Sequence, residues 1–203
     1  MLNEIRVGRI VSMDGAVNPA RADREGSLVV TAGHGPLFEA ARRGNIFSFC
    51  AQAALSLPAS LTSTAPVFTL HNPAGSGKLL SVLSVGFAFS AAPAAAVVLA
   101  VVANFDAQQA APTATTPGIA QNNYIPNSGA AAVGRIYTVA TLGAAPTVAR
   151  VVASIVAAAS ITPPYIRDNI EGGLVIAPGG YVCFAGSAAA AGFPSITWEE
   201  VSL

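Results

Sequence analysis

Apolar and polar positions alternate over short stretches along most of this chain, and Pro, Gly, Asn and Ser punctuate the stretches at close intervals. That is the period-2 signature of half-buried strands, not the 3.6-residue stripe of amphipathic helices. In Ile46–Ala53, Phe47, Phe49 and Ala51 share one face and Ile46, Ser48, Cys50 and Gln52 the other, so the phenylalanine face is expected inside. Val67–His71 reads as a short strand ending at Asn72-Pro73, a turn opener. In Lys78–Ser90 the set Leu79, Ser81, Leu83, Val85, Phe87 and Phe89 is the expected core face, with Leu80, Val82, Ser84, Gly86 and Ala88 opposite. Ala95–Asn104 is one continuous apolar strand. Val133–Leu142 and Val148–Ala158 follow, although a helix competes for the second because Ala157–Ala159 favour it. Leu174–Ala177 and Tyr181–Ala185 predict a hairpin about the Pro178-Gly179-Gly180 turn. In Ser195–Val201, Ile196 and Trp198 alternate against Thr197 and Glu199, with Val201 out of phase.

These elements predict an all-β domain over residues 44–203, an antiparallel β-sandwich or jelly roll of about eight strands. Residues 1–43 read differently. They hold 11 of the 20 charged side chains, whereas only Lys78 and Asp106 are charged between Gly44 and Gly134. Short strands over Glu4–Met13 and Ser27–Thr31 and at most two helical turns over Pro36–Arg43 leave this segment little core. It is expected to be an extended N-terminal arm ordered by docking, with a hairpin of the main sheet as the alternative. Asp106–Ser128, rich in Gln, Asn, Thr, Pro and Ala, is too long and polar for an ordinary connector and is expected to be a functional loop.

Composition narrows the function. The 203 residues carry 10 Lys+Arg and 10 Asp+Glu, and 53% are apolar while 10% are charged. Such a chain is too apolar for disorder, too neutral for a general nucleic-acid binder and, with two cysteines, no disulfide scaffold. The apolar runs Ala91–Ala103 and Val151–Ile161 fall short of the ~20 residues of a membrane-spanning helix. Glu4, Arg6, Arg9 and Asp14 interrupt any signal-peptide core, so a soluble, non-secreted protein is expected. With 42 alanines and few charges, the surface invites burial in a symmetric oligomer.

Candidate chemistry is sparse. Gly75-Ser76-Gly77-Lys78 resembles the end of a phosphate loop, but Asn72 stands where its first glycine belongs and Leu79 replaces the Mg²⁺-binding Ser or Thr. A tight turn into the next strand is expected. His34 and His71 lie far apart without metal-ligand spacing, and Cys50 and Cys183 stand alone in apolar runs as small buried hydrophobes, their pairing left open. Glu199-Glu200 would point to opposite faces of a strand. No catalytic constellation, metal site or cofactor is therefore expected. The dense polar cluster is Glu39-Ala40-Ala41-Arg42-Arg43-Gly44-Asn45, readable as a helical turn with a Glu39–Arg43 pair and Gly44 as its stop. It is either a solvated turn or a place where Arg42 and Arg43 grip acidic groups of a partner. Trp198 reads as a core or subunit-interface aromatic. The Gln108-Gln109 and Asn122-Asn123-Tyr124 stretch is an inert loop or a glycan contact.

The order Glu39-Ala40-Ala41-Arg42-Arg43-Gly44-Asn45, then Asn72-Pro73-Ala74-Gly75-Ser76-Gly77 before an apolar strand, then Pro178-Gly179-Gly180 and Trp198-Glu199-Glu200, resembles a group of tailed-bacteriophage structural proteins. The likeness runs from residue 33 onward, except for the Ala-rich middle. It implies a non-enzymatic virion protein without cofactor, a capsid decoration (cement) protein resembling trimeric jelly rolls. Trimers would bridge capsid subunits, with the major capsid protein or another virion protein as partner and neither nucleic acid nor membrane bound. Glu39, Arg42, Arg43, Asn45 and Trp198 are the expected partner contacts. The alternative is a head or tail spike that binds a host receptor or glycan through Asp106–Ser128.

Overall fold

The computed structural model describes residues 35–65, 68–105, 111–123, 131–156 and 165–203. The chain divides into two compact units, Met1–Glu39 and Ala40–Leu203. The expected strands Glu4–Met13 and Ser27–Thr31, His34 and most of the arm segment lie outside the described residues, as do 106–110 and 124–130 of the polar stretch.

Among the described residues one short helix, α1 (Phe38–Arg42), precedes twelve strands. These are β1 (Ile46–Cys50), β2 (Leu55–Leu57), β3 (Phe68–His71), β4 (Lys78–Phe89), β5 (Val97–Ala103), β6 (Thr113–Gly118), β7 (Gln121–Asn122), β8 (Arg135–Thr141), β9 (Thr147–Ile155), β10 (Tyr165–Ile176), β11 (Tyr181–Gly186) and β12 (Ala190–Ser202). They form two six-stranded antiparallel sheets packed as a sandwich. The first runs β10-β4-β12-β1-β7, with β2 also on β12; the second runs β6-β8-β3-β11-β5-β9. Eight strands carry the frame. β1 pairs with β12, β3 with β11, β4 with β10 and β5 with β9. The count exceeds the expected eight because β2 and β8 extend the sheets and the polar stretch itself contributes β6 and β7.

The core lies between the sheets. Phe47, Phe49, Leu80, Val82, Val85, Phe87, Ile196 and Trp198 from the first sheet meet Phe68, Leu70, Leu99, Val101, Val182 and Phe184 from the second. Aromatic rings bridge the layers, with centroids 5.4 Å apart for Phe49–Phe68 and 6.1 Å for Phe87–Phe184. Each ring buries a large apolar area, and such pairs add roughly 0.5–1.5 kcal/mol beyond that burial. The phenylalanine face of β1 is inside, as its alternation requires.

The face of β4 is not the expected one throughout. Leu80 and Val82 point inward at its start and Val85, Phe87 and Phe89 beyond. The register against β12 slips between Thr197 and Trp198, so Leu83 is an extra residue and the alternation inverts there. Strand β10 is interrupted at the same level, where Ile170 to Gly173 bulge between Asn169 and Leu174. Glu171 adopts φ 53° and Gly172 φ 82° in that bulge.

A second correction concerns Pro178-Gly179-Gly180. Its flanking strands do not pair with each other: β10 belongs to the first sheet and β11 to the second. The turn is a crossover, and Asn72 makes it one. Asn72 donates its backbone N–H to Gly180 O at 2.9 Å and accepts from Gly179 N at 2.7 Å. Its side-chain amide donates to Lys78 O and Ile176 O at 2.8 and 2.9 Å. One buried asparagine thus ties two turns and two strands together, including the turn that had resembled a phosphate loop. β9 is strand over Thr147–Ile155, against the helical alternative there, while Ala157–Ala159, which favoured the helix, lie outside the described residues. Arg150 of β9 clasps Asp168 of β10 with both Nε and Nη2, joining the edges of the two sheets. Because Arg150 is half exposed, that pair contributes little stability.

The outer face of β5 and β11 in the second sheet is buried as well. Ala100, Val102, Tyr181, Cys183 and Ala185 form a smaller cluster there with Leu142, and Leu61 packs on it. The connection after β2 is fastened by the Leu142 N–H, which donates to Thr64 O at 2.7 Å. Part of the apolar surplus is thus covered by the chain itself.

Candidate functional site

The polar cluster around α1 is built by a helix stop. Gly44 takes the left-handed conformation with φ 73°. Its N–H donates to Ala41 O at 2.9 Å, and the Asn45 N–H reaches back to Ala40 O at 3.0 Å. This pair of bonds closes a helix C-terminus around glycine, as the sequence implied. The turn is then stitched to strands. Asn122 Nδ2 donates to Gly44 O at 2.8 Å, and the Glu200 N–H donates to Asn45 O at 2.8 Å. Glu39 and Arg42 are exposed on α1, Arg43 is exposed just after it, and Asn45 is half-buried. Arginine at the end of a helix favourably meets the carbonyl end of the dipole. The turn thus places the side chains of Arg42 and Arg43 on the exposed side of the chain.

Trp198 does not join them as a contact. It is fully enclosed within the chain (0% exposed), with its ring 6.0 Å from that of Phe47. A partner-binding role needs accessible surface, and Trp198 has none. Its indole N–H instead donates to Glu200 Oε1 at 3.3 Å.

Glu200 is the residue that the pattern concealed. It is 4% exposed, on the inward side of β12 in phase with Ile196 and Trp198. Its carboxylate accepts the Val133 N–H at 2.9 and 3.1 Å and the Gly134 N–H at 2.9 Å. Backbone donors, not a cation, satisfy this buried group. Gly134 lies so close that an added Cβ would sit 3.0 Å from Leu80 and 3.1 Å from the Trp198 indole nitrogen. A carboxylate needing two inputs and a glycine at close approach together fasten the entry to β8. The only hint in the sequence was that Val201 drops out of the alternation.

On the outer face of the second sheet, Thr69 Oγ1 lies 3.3 Å from Cys183 Sγ, and Tyr137 Oη lies 3.5 Å from His71 Nδ1. Burial pushes the Cys183 thiol up to about 12 and the Tyr181 hydroxyl up to about 12, the latter also through the nearby Cys183 charge. Both groups stay protonated at neutral pH, so Cys183 is no thiolate nucleophile there. Cys50 is exposed, contrary to the buried position expected, because it falls on the outer side of β1; both cysteines are free.

His71 is held below its ordinary pKa by burial and then by the Arg135 charge, and its Nε2 has no partner. The unfolded chain therefore takes up the proton first as pH falls. Stability should be constant above about pH 6.5, the ordinary histidine value, and decline below it. Urea midpoints at pH 7.5 and 5.5 test this: the wild type should lose more than His71→Leu, and equal losses would remove His71 as the cause.

Where β5, β10 and β11 meet, a groove of about 270 Å³ is lined by Asn104, Phe105, Val175, Pro178 and Tyr181 among others. Among the described residues no group of three or more His, Cys, Asp or Glu side chains converges to hold a metal ion. No helix among them is long and apolar enough to cross a membrane. No protein-family model, curated protein or solved structure matches the chain.

Proposed function

We propose that this chain is a non-enzymatic structural protein of a tailed-phage virion, a decoration (cement) protein that stabilises the head by bridging capsid subunits. The strand order carries the reading. In β1-β12-β4-β10 and β3-β11-β5-β9 the first frame strand pairs with the eighth, the second with the seventh, the third with the sixth and the fourth with the fifth. We read that order as the winding of a jelly roll, an architecture recurrent in viral capsid proteins, and it supports the virion reading. The inference from fold to virion is one of analogy. The chain acts as a homo-oligomer, a trimer. Residues 1–43 dock on the major capsid protein or another virion protein, and Arg42 and Arg43 at the end of α1 meet acidic groups. No cofactor, nucleic acid or membrane takes part.

Jelly rolls also serve lectins, which keeps a receptor- or glycan-binding head or tail spike as the second reading. It draws on the segment between β5 and β9, which carries exposed Ile119 between β6 and β7. The test is co-sedimentation with expanded, undecorated shells of the phage that encodes the chain. Stoichiometric binding is expected, abolished by deleting residues 1–43 and weakened at least about tenfold by R42E/R43E, as for charges that pair across an interface. Absence of shell binding, with cell or glycan binding that survives the deletion and is lost on shortening 106–128, would replace this reading with the spike.

A further inference from the structure

We propose that the edge strand β10 is a contact between copies of this chain, in which Arg167 of one copy meets Glu171 of the next. The inference rests on the homo-oligomer reading above and gives it a surface.

Strand β10 borders the first sheet and, among the described residues, pairs with β4 alone. Tyr165, Arg167 and Asn169 lie opposite Ala88, Gly86 and Ser84, all on the outer face. The absence of a side chain at buried Gly86 lets the Tyr165 hydroxyl and Ser195 Oγ lie over it, 3.1 and 2.7 Å from where a Cβ would sit. Large apolar side chains remain uncovered at both ends of the strand, with Tyr165 64% and Val175 53% exposed. Between them stand opposite charges four positions apart, Arg167 and Glu171, both exposed and neither ion-paired among the described residues. With Asp168 engaged by Arg150, an edge left with one unpaired cation and one unpaired anion complements a second copy of itself. Each copy satisfies the other's charges, whether the contact is two-fold or runs around a ring.

Position 171 adds an independent argument. A left-handed φ of 53° costs a non-glycine residue roughly 1–2 kcal/mol, and Gly172 and Gly173 follow immediately. Glutamate in the one place of this bulge where glycine would be cheaper is explained if its carboxylate has a partner. The bulge also turns the backbone away from regular pairing, which limits open-ended strand addition and leaves recognition to side chains.

The experiment is light scattering on the full chain at several concentrations, with R167E, E171R, the double reversal R167E/E171R and, as a control charge change, R135E on the exposed side of β8 in the other sheet. Far-UV circular dichroism and thermal melts report that each variant is folded. The wild type and R135E should be oligomeric. Each single reversal should raise the dissociation constant at least about tenfold, and the double reversal should restore assembly, because the pair then attracts with its signs exchanged. An oligomer indifferent to both single reversals would overturn this contact while leaving the oligomer reading intact. A wild type that is monomeric throughout would overturn both.

Discussion

Glu200→Ala should lower the unfolding free energy by about 3–4 kcal/mol, moving the thermal midpoint down by roughly 10 °C for a domain of this size. The loss does not come from the charge as such. Removing the carboxylate leaves the Val133 and Gly134 N–H groups and the Trp198 indole without their acceptor in a place closed to water. It also opens a space beneath β8 that Gly134 cannot fill. Glu200→Gln separates these effects. Its carbonyl can still accept where Oε1 does, but its amide would meet the Val133 N–H, 3.1 Å from Oε2, with a second donor. A cost of about 1–2 kcal/mol is therefore expected for glutamine. Equal effects from alanine and glutamine in urea unfolding would mean that the carboxylate does not hold the segment.

Gly192→Ala is expected to cost about 3 kcal/mol, at the upper end of what overpacking causes. Gly192 of β12 lies between Phe89 and Leu55 in the ladder. An added Cβ would come within 2.3 Å of Ala88 O and 2.5 Å of a Phe87 ring carbon. The carbonyl belongs to a ladder and the ring to the core between the sheets, so neither can yield without displacing others. Gly75→Ala provides the contrast. It has φ 73° and open space around its Cβ position, so conformational strain alone applies, about 1–2 kcal/mol. A midpoint for Gly192→Ala no lower than that for Gly75→Ala would show that the strand can move aside.

The fold class was legible because core-facing phenylalanines alternate cleanly in β1 and because β5 is apolar on both sides. What escaped the sequence did so for identifiable reasons. A period-2 reading assumes an unbroken ladder, and the extra residue Leu83 inverts the phase of β4 within an otherwise uniform apolar run. Pro178-Gly179-Gly180 has the same local chemistry in a hairpin as in a crossover. The choice rests on Asn72, more than a hundred residues away in the chain. Within the candidate site, the helix stop at Gly44 was visible because its cause is local. The inward turn of Glu200 was not, since a carboxylate in a core position is recognisable only once its donors at Val133 and Gly134 are known.

The adjacency of β1 and β12 has a kinetic consequence. Ile46 pairs with Glu199, and these two strands occupy the interior of the first sheet, with β4 and β7 outside them. The first sheet cannot be finished early: β1 can meet the short β7 once residues 121–122 are made, but its long partner β12 is the last strand synthesised. Closing loops of that length before they are rewarded makes folding slow and exposes strand edges meanwhile. β4 carries a single charge, Lys78, and β5 none, which offers such an intermediate little protection. Yield in the host should therefore depend on temperature and chaperone supply more steeply than the stability of the finished sandwich would suggest.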